Sequence, residues 1–179
     1  MEKPRVLQEE SLPAKNKDKA AAFTIRPLTT ADRDWVRRKM VEEWGAEIAV
    51  VHGEVFRPAE MPGFAACAGE EIAGLLTYRM DGDVCEIMTL NSWRAGIGIG
   101  SALIEAVRQA AGRGKCHRLF LVTTNDNTAA LRFYQKQGFT IAAVRLNVME
   151  QSRKLKPEIP PTGADGIPIR DEIDLEIFL

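Results

Sequence analysis

The sequence predicts an α/β fold in which helices flank one mixed sheet, with a single parallel crossover near its middle. Short apolar and β-branched runs separated by tight-turn residues are typical of an antiparallel meander. A later run, residues 117–124, is apolar at both odd and even positions, which is typical of a buried parallel strand. Helical patterns on both sides of that run supply the crossover that parallel strands require.

Length, charge and cysteine content limit the classes of protein to which this chain can belong. Its 179 residues suit one domain, predicted over residues 23–179 after a flexible polar leader at residues 1–22. The net charge of −1 argues against nucleic acid as a partner, and no apolar run approaches the length of a membrane span. The leader lacks the apolar segment of a secretory signal. Three widely spaced cysteines without a CxxC motif favour a reducing, cytoplasmic location.

The N-terminal elements are predicted as a strand, two helices and a loop. A strand over residues 23–28 is stopped by its proline, and a helix begins near Ala31 after a threonine cap and ends at Gly45. The apolar face of this helix comprises Trp35, Val36, Met40, Val41 and Trp44. Residues 46–57 are predicted as a second, short helix, and the prolines and glycine of residues 58–63 mark a loop.

A three-stranded meander follows the loop. Strands are predicted over residues 64–68, 72–79 and 84–90, because these runs are apolar and are separated by turn residues. The second turn, residues 81–83, reads Asp-Gly-Asp, which favours a tight hairpin.

The C-terminal half alternates helices with strands. A helix is predicted over residues 98–111 and is followed by the buried strand at 117–124. A second helix is predicted over residues 128–137, and strands are predicted at 139–148 and 173–179. This order gives the mixed sheet its one parallel crossover.

The most informative stretch is the turn before the helix at residue 98, where Gly96, Gly98 and Gly100 leave the backbone nearly bare. Bare N–H groups at a helix N-terminus bind phosphate. The third glycine and the acidic residue of a dinucleotide-binding fingerprint are missing, and so is the Gly-Lys-Ser/Thr of a P-loop. The alternative interpretation is a tight turn that only lets the helix pack close to the sheet.

A second motif decides between these interpretations. Residues 98–103, Gly-Ile-Gly-Ser-Ala-Leu, and the motif Asn127-x-x-Ala130-x-x-Phe133-Tyr134-x-x-x-Gly138-Phe139 together resemble the two acetyl-CoA motifs of the GNAT N-acetyltransferase superfamily. The resemblance covers about residues 23–148. The tail that follows is similar to that of a little-characterised bacterial branch of the family.

The resemblance implies a GNAT fold, whose mostly antiparallel sheet is splayed at the cofactor site, and acetyl-CoA as the acetyl donor. The residues that it places at the cofactor are Thr89, Leu90, Asn91, Ile97, Gly98, Ile99, Gly100, Ser101, Ala102, Asn127, Ala130, Phe133 and Tyr134. Family members usually carry Arg or Gln three residues before the first glycine of the pair, but here that residue is Ala95 and Arg94 comes one position early. Backbone N–H groups are therefore expected to make most of the pyrophosphate contact.

Two side chains are candidates for proton transfer in acetyl transfer. Tyr134 matches the family's tyrosine acid by position, and a phenol with a pKa of about 10 can protonate the departing thiolate. The alternative is a core aromatic on an amphipathic helix. Glu86 interrupts an apolar strand on the predicted face of Met88 and Leu90, where a partly buried carboxylate would suit a base. The alternative is an ion pair with Arg79 on the neighbouring strand.

Backbone and capping groups complete the expected cofactor site. The strand that carries Glu86 is bulged and splayed in the family, so its backbone N–H groups are expected to meet the oxyanion. Asn127 is expected both to cap its helix and to hold the cofactor or the splayed strand.

The acceptor, an amine of a small molecule or a peptide, is expected between the first two helices, the loop at residues 55–63 and the tail at 150–179, which otherwise completes the sheet. Trp44, Phe56 and Trp93 are candidate lining residues. A second candidate set is acidic and would suit a cationic amine. The alternative is that these side chains only face solvent. The set comprises Glu42, Glu43, Glu47 and Glu54. The two histidines are too scattered for a metal site. Family members often dimerise through C-terminal strands, which makes residues 173–179 a candidate homodimer interface.

The sequence therefore favours an acetyl-CoA-dependent N-acetyltransferase that acts by direct attack of a primary amine. A non-catalytic acyl-CoA-binding module, serving as a sensor or partner subunit, is the alternative, and the retained Tyr134 and Glu86 argue against it. A nucleotide-dependent oxidoreductase is disfavoured by the missing third glycine and acid. Polyamines, antibiotic amines, amino acids and protein N-termini all stay open as acceptors.

Overall fold

A computed structural model describes residues 23–163 and 165–179. The predicted flexible leader, residues 1–22, lies outside the described residues. None of the helices in the described part is long and apolar enough to cross a membrane.

The described residues form nine strands, and seven of these make one mixed sheet. In chain order the strands are β1 (Thr24–Pro27), β2 (Ala49–Val51), β3 (Glu54–Phe56), β4 (Gly63–Ala68), β5 (Glu71–Asp81), β6 (Val84–Ser92), β7 (Arg118–Thr124), β8 (Thr140–Arg145) and β9 (Glu172–Phe178). The large sheet has the order β1-β4-β5-β6-β7-β9-β8, and β2 pairs separately with β3. Its neighbouring strands are all antiparallel except β6 and β7. The predicted mixed sheet with one parallel crossover is therefore confirmed.

Helices cover both faces of this sheet. The α-helices of the described part are α1 (Arg33–Trp44), α2 (Ile99–Arg113), α3 (Thr128–Lys136) and α4 (Met149–Leu155). Consecutive residues of a strand point to opposite faces, and Leu75 and Leu76 of β5 accordingly belong to two separate cores. Leu76 packs in the larger core with α2, whereas Leu75 packs with Val36 and Met40 of α1. The centre of the sheet is thus buried on both sides.

Local signals in the sequence fix the ends of α1. A short 3₁₀ turn, Thr30–Asp32, precedes it, and the backbone N and Oγ1 of Thr29 both donate to Asp32 Oδ2, at 2.7 and 2.8 Å. Gly45 ends the helix with a φ of 77°, a left-handed conformation that glycine adopts without strain. These bounds agree with the predicted cap and stop. Val41 differs from its predicted place on the buried face, since it is 46% exposed.

Residues 46–57 form the β2–β3 hairpin, and the predicted second helix is wrong. Val51 is opposite Glu54, so the loop between them has two residues, His52 and Gly53. Both residues adopt positive φ, 51° and 77°, as a tight two-residue hairpin turn requires. The β-branched residues of this segment suit a strand better than a helix.

The predicted strand at residues 139–148 is shorter, and a helix that the sequence analysis missed follows it. Asn147 adopts a φ of 59°, and its N–H donates to Asp171 Oδ1 at 2.8 Å. This contact turns the chain after β8 and lets α4 begin at Met149. The turn depends on Asp171, a residue distant in sequence, and no local pattern indicates it.

The C-terminal strand β9 lies inside the sheet, between β7 and β8. It pairs antiparallel with both neighbours over most of its length. Its backbone groups are therefore already used, and β8 forms the edge of the sheet. A homodimer through residues 173–179 stays a prediction, and it would have to use side chains, because both backbone edges of β9 are paired.

Gly74 allows α2 to lie close to β5. A Cβ at Gly74 would lie 2.5 Å from Ile99 Cγ2 and 3.2 Å from the carbonyl oxygen of Asn91. We expect Gly74→Ala to destabilise the fold by about 1–3 kcal/mol through overpacking. Gly112 lies on α2, and a Cβ there would have no atom within 4 Å. Gly112→Ala should therefore stabilise the fold by about 0.5–1 kcal/mol. Urea unfolding of both variants measures the two effects, and equal stabilities would contradict this account of the packing.

Candidate active site

The pairing between β6 and β7 stops halfway along both strands. Parallel pairing joins Val84–Ile87 to Arg118–Leu121. The remaining residues of the two strands, 88–92 and 122–124, have no register with each other and diverge. The backbone groups that face this gap are left for another partner.

A bulge lies on β6 at the point where the gap begins. Thr77 of β5 is opposite Thr89, whereas the next residue, Tyr78, is opposite Ile87. Met88 is therefore an extra residue in β6, which turns the strand and inverts the alternation of its side chains. The bulge and the splay that the family resemblance implies are both present.

A cavity of ≈ 660 Å³ opens between the diverging strands. Its walls come from β6, β7, α3, the end of α1, the β2 strand and the segment after α4. The predicted site residues that line it are Thr89, Leu90, Asn127, Ala130 and Tyr134. Sites for small molecules and cofactors commonly have a volume of this order.

The glycine turn presents bare backbone at the N-terminus of α2. Gly96 and Gly98 have positive φ, 79° and 89°, and a Cβ on either would meet no atom within 4 Å. Gly98 precedes the helix and offers no side-chain cap, and the first intrahelical bond runs from Ala102 N to Gly98 O at 3.0 Å. The amides of residues 99–101 therefore have no acceptor within the helix. Such amides bind anions.

Gly100 connects the glycine turn with the cavity. A Cβ there would lie 3.0 Å from Phe133 Cζ and 3.9 Å from Leu90 Cδ2, so these two side chains close around the glycine. The Ser101 hydroxyl accepts a hydrogen bond from Gln137 Nε2 at 3.0 Å, which ties α2 to the end of α3. The turn and the cavity are thus adjacent, because Leu90 lies near Gly100 and also lines the cavity.

Four other predicted cofactor residues do not line the cavity, namely Asn91, Ile97, Ile99 and Ala102. Ile99 is 1% exposed and belongs to the core, so only its backbone is accessible, whereas Ile97 is 41% exposed. Asn91 is opposite Leu75, which puts its side chain on the α1 face of the sheet. Its buried Oδ1 accepts no hydrogen bond from the described residues. Ala102 lies half-buried in the first turn of α2.

No side chain of the turn takes the place of the missing Arg or Gln. Residue 95 is alanine, and Arg94 forms an ion pair with Glu71 at the start of β5. The guanidinium of Arg94 is therefore held by a carboxylate on the neighbouring turn. The accessible polar groups of this turn are therefore its backbone amides.

Tyr134 is both a core aromatic and a cavity residue. It is 8% exposed, and its ring packs edge-on against Phe133 and Phe139, with centroids 5.2 and 5.7 Å away. It also lines the cavity, and its hydroxyl forms no hydrogen bond with the described side chains. Burial raises the pKa of Tyr134 well above its usual value, so the hydroxyl keeps its proton at neutral pH. The two interpretations of Tyr134 are compatible.

Glu86 does not line the cavity, and it lies on the face of β6 opposite to Leu90, contrary to the predicted shared face. Glu86 is opposite Arg79 in β5, and the bulge at Met88 inverts the alternation before Leu90. Arg79 Nε donates to Glu86 Oε2 at 2.5 Å, so the ion pair weighed as the alternative is formed. The Phe56 ring covers the Arg79 guanidinium at 4.6 Å. The role of Glu86 as a base stays a prediction, and it would need water between Glu86 and the cavity.

The face that carries Glu86 also anchors the β2–β3 hairpin. His52 Nε2 lies 2.9 Å from Asp174 Oδ1, and the His52 backbone N donates to Glu172 Oε2 at 3.3 Å. Arg145 pairs with the same Asp174 at 3.0 Å. Burial raises the pKa values of both Glu86 and Glu172. In the described part no group of three or more His, Cys, Asp or Glu residues is arranged to hold a metal ion.

The residues predicted to surround the acceptor are only partly brought together. Trp44 and Glu43 line the cavity. Phe56 instead covers Arg79, and Trp93 packs edge-on against Trp35 and donates to Glu43 at 2.8 Å. The remaining predicted acids lie at the surface, exposed, and are Glu42, Glu47 and Glu54. The loop at residues 55–63 does not line the cavity, whereas β2 and the tail, which was also expected at the acceptor, do.

The tail supplies lining residues that the sequence analysis missed. It contributes Lys156, Glu158, Ile159, Pro160, Thr162, Gly163 and Ile169. Asp126 also lines the cavity and accepts from the Thr124 hydroxyl at 2.5 Å. A Cβ on Gly163 would collide with the Asp126 carboxylate, so this glycine allows the tail to close on the α3 side. These residues carry no motif, because contacts between distant segments bring them to the cavity.

Known proteins resemble this chain in sequence and in fold. The model of the acetyltransferase (GNAT) family matches residues 27–139. The uncharacterised Bacillus subtilis protein YdhI is 46% identical over 133 residues, which cover 74% of this chain and 83% of YdhI. The uncharacterised protein YxbD of the same organism is 37% identical over 152 residues, covering 84% and 96%. A GNAT family acetyltransferase from Elizabethkingia anophelis, solved with acetyl-CoA bound, superposes with a TM-score of 0.65 at 23% identity, covering 90% of this chain and 100% of that one.

The burial of Glu86 makes the stability of the fold depend on pH. Burial raises the pKa of Glu86 more than Arg79 lowers it, so the folded state holds the proton more tightly than the unfolded state does. The resulting stabilisation is complete below the ordinary carboxyl pKa of about 4.3 and is lost as pH rises through the raised pKa. We expect the Tm of Glu86→Gln, relative to wild type, to increase from pH 4.5 to pH 8.

Arg79→Gln serves as the control for this dependence. It removes the group that lowers the pKa of Glu86, so the decline of stability with rising pH should become steeper. Thermal unfolding of the three proteins across this pH range measures both trends. A Tm difference between wild type and Glu86→Gln that does not change with pH would contradict the assignment.

Proposed function

The chain belongs to the acetyltransferase (GNAT) family, and we propose that it transfers an acetyl group from acetyl-CoA to a primary amine. The observation that carries this proposal is the surface formed by the glycine turn and the adjacent cavity, which Leu90 joins and Tyr134 lines. Family membership also removes the reason for considering a nucleotide-dependent oxidoreductase.

The donor fits this surface in two parts. The pyrophosphate would contact the unpaired amides of residues 99–101, because the bare glycines let an anion approach the backbone. The pantetheine arm would lie in the gap between β6 and β7, beside Leu90 and Ala130. Backbone groups of residues 89–91 that β7 does not pair would bond the amides of the arm, as an added strand does.

The transfer step follows from the groups at the cavity. The neutral amine nitrogen attacks the thioester carbonyl carbon, and negative charge develops on the carbonyl oxygen, where a backbone N–H of the bulged β6 can stabilise it. The C–S bond then breaks, the Tyr134 hydroxyl gives its proton to the thiolate, and Tyr134 regains a proton from water before the next turnover. The amine releases its proton to water, or through water to Glu86, which does not line the cavity.

Turnover, and its dependence on Tyr134, distinguishes an enzyme from a non-catalytic acyl-CoA-binding module. We expect Tyr134→Phe to lower kcat about 10²–10⁴-fold, because it removes the proton donor, and to leave the Kd for acetyl-CoA nearly unchanged. A thiol-release assay with an amine panel measures kcat, and calorimetry measures the Kd. The control is Tyr78→Phe, at the chain's only other tyrosine, which stacks on Phe64 in the core. A wild-type chain that binds acetyl-CoA but turns over no amine of the panel would favour the binding module, and unchanged turnover in Tyr134→Phe would refute Tyr134 as the proton donor.

The glycine turn should determine affinity for the donor. Gly98→Val places a β-branched residue at a φ of 89° and covers the amides of α2, so we expect acetyl-CoA binding to be lost. Gly82→Val carries comparable backbone strain, at a φ of 60°, in the distant β5–β6 turn and should retain binding. Calorimetric titration of both folded variants gives the comparison. Near-normal affinity in Gly98→Val would refute the backbone account of phosphate binding.

A further inference from the structure

Lys156 is a buried cation at the wall of the cavity. It follows α4, is only 5% exposed, and lines the cavity together with residues of the tail. Its Nζ donates to the backbone carbonyl of Ile48 at 3.0 Å. Within the described residues no carboxylate lies at ion-pair distance from this Nζ.

A buried ammonium normally has an anion as its partner. Removing a charge from water is costly unless a counter-charge and hydrogen bonds compensate it. An ammonium has three N–H donors, and the Ile48 carbonyl uses only one of them. Burial lowers the pKa of Lys156, and only Glu158 opposes this shift, from beyond ion-pair distance. The site therefore has the electrostatics of a cation whose anion is supplied by a ligand.

The surroundings of Lys156 limit the size and polarity of that ligand. The same cavity is walled by the apolar side chains of Trp44, Met149, Ile159 and Ile169. The acids Glu43 and Glu158 that line it are exposed to solvent, and Asp126 is held by the Thr124 hydroxyl. The volume of ≈ 660 Å³ must also hold the pantetheine arm, which leaves room for a small acceptor only.

We propose that Lys156 binds a carboxylate of the acceptor, so that the preferred substrate is a small amino acid-like molecule carrying both an amine and a carboxylate. This inference rests on the proposed acetyltransferase function and names its substrate class. The carboxylate would accept the two remaining Nζ donors, while the amine end points to the gap between β6 and β7. Lys156 would then act through binding and orientation, without a part in the bond changes.

Matched pairs of acceptors test the role of the carboxylate. Free L-amino acids and their carboxamides present the same amine and differ only in the negative charge. With the wild-type chain, we expect at least one free amino acid to be acetylated with a kcat/KM about 10-fold or more above that of its amide, as a charge-assisted hydrogen bond allows.

A pair of variants separates charge recognition from a structural role. Lys156→Gln keeps an N–H donor for the Ile48 carbonyl but removes the charge, so the ratio of kcat/KM for the free acid to that for the amide should fall to about one. Lys154→Gln, at an exposed lysine in the last turn of α4, should keep the full preference. Thermal unfolding and the Kd for acetyl-CoA, measured in parallel, should be similar in the three proteins.

The outcomes distinguish this inference from the proposed function. If the chain does not bind acetyl-CoA, the proposed function fails and the inference fails with it. If it binds acetyl-CoA but acetylates no amino acid, or acetylates acids and amides equally, only the assignment of Lys156 is overturned. An acid preference that survives in Lys156→Gln overturns it as well. Acetylation of Lys156 itself, detected by mass spectrometry, would identify it as an acceptor instead and would also overturn the assignment.

Discussion

The interrupted pairing of β6 and β7 is the constraint on which the rest of the site depends. Two central strands of a sheet normally exchange backbone hydrogen bonds along their whole length, but here parallel pairing ends at Ile87 and Leu121. The backbone groups beyond that point need water or a ligand as a partner. The bulge at Met88 directs β6 away from β7 and makes the gap a fixed feature of the backbone. An extended amide-bearing arm can then take the place of the missing strand.

The sheet tolerates this interruption because a core packs on each of its faces and because β7 is paired with another strand on its other side. The larger core runs from Phe64 of β4 to Leu175 of β9 and passes beneath the gap through α2 and α3. The second core, with Val36 and Met40, supports the opposite face. Strand β9 pairs with β7 along the full length of β7, so the strand that loses its partner on one side is held on the other. The opening is therefore local.

The sequence predicted the parts of the site that depend on local chemistry. The glycines of the turn, the Asn127 cap, which accepts from Ala130 N at 3.1 Å, and the position of Tyr134 all follow from motifs in which spacing determines geometry. The orientation of Glu86 did not follow, since one extra residue at Met88 inverts the alternation and no side-chain pattern marks it. The hairpin at residues 49–56 and Lys156 were missed for another reason. Their places depend on contacts with residues about a hundred positions away, such as His52 with Asp174 and Lys156 with Ile48.

The place of β9 in the sheet has a consequence for the order in which the molecule can assemble. Strand β8 touches the sheet only through β9, which is synthesised after it. While the chain grows from the ribosome, β8 therefore has no strand to pair with, and β7 keeps an open edge. The residues of the tail that wall the cavity lie between these two strands and are placed only once β9 has inserted. The glycine turn can form early from local contacts, whereas the cavity wall that the tail supplies should form last.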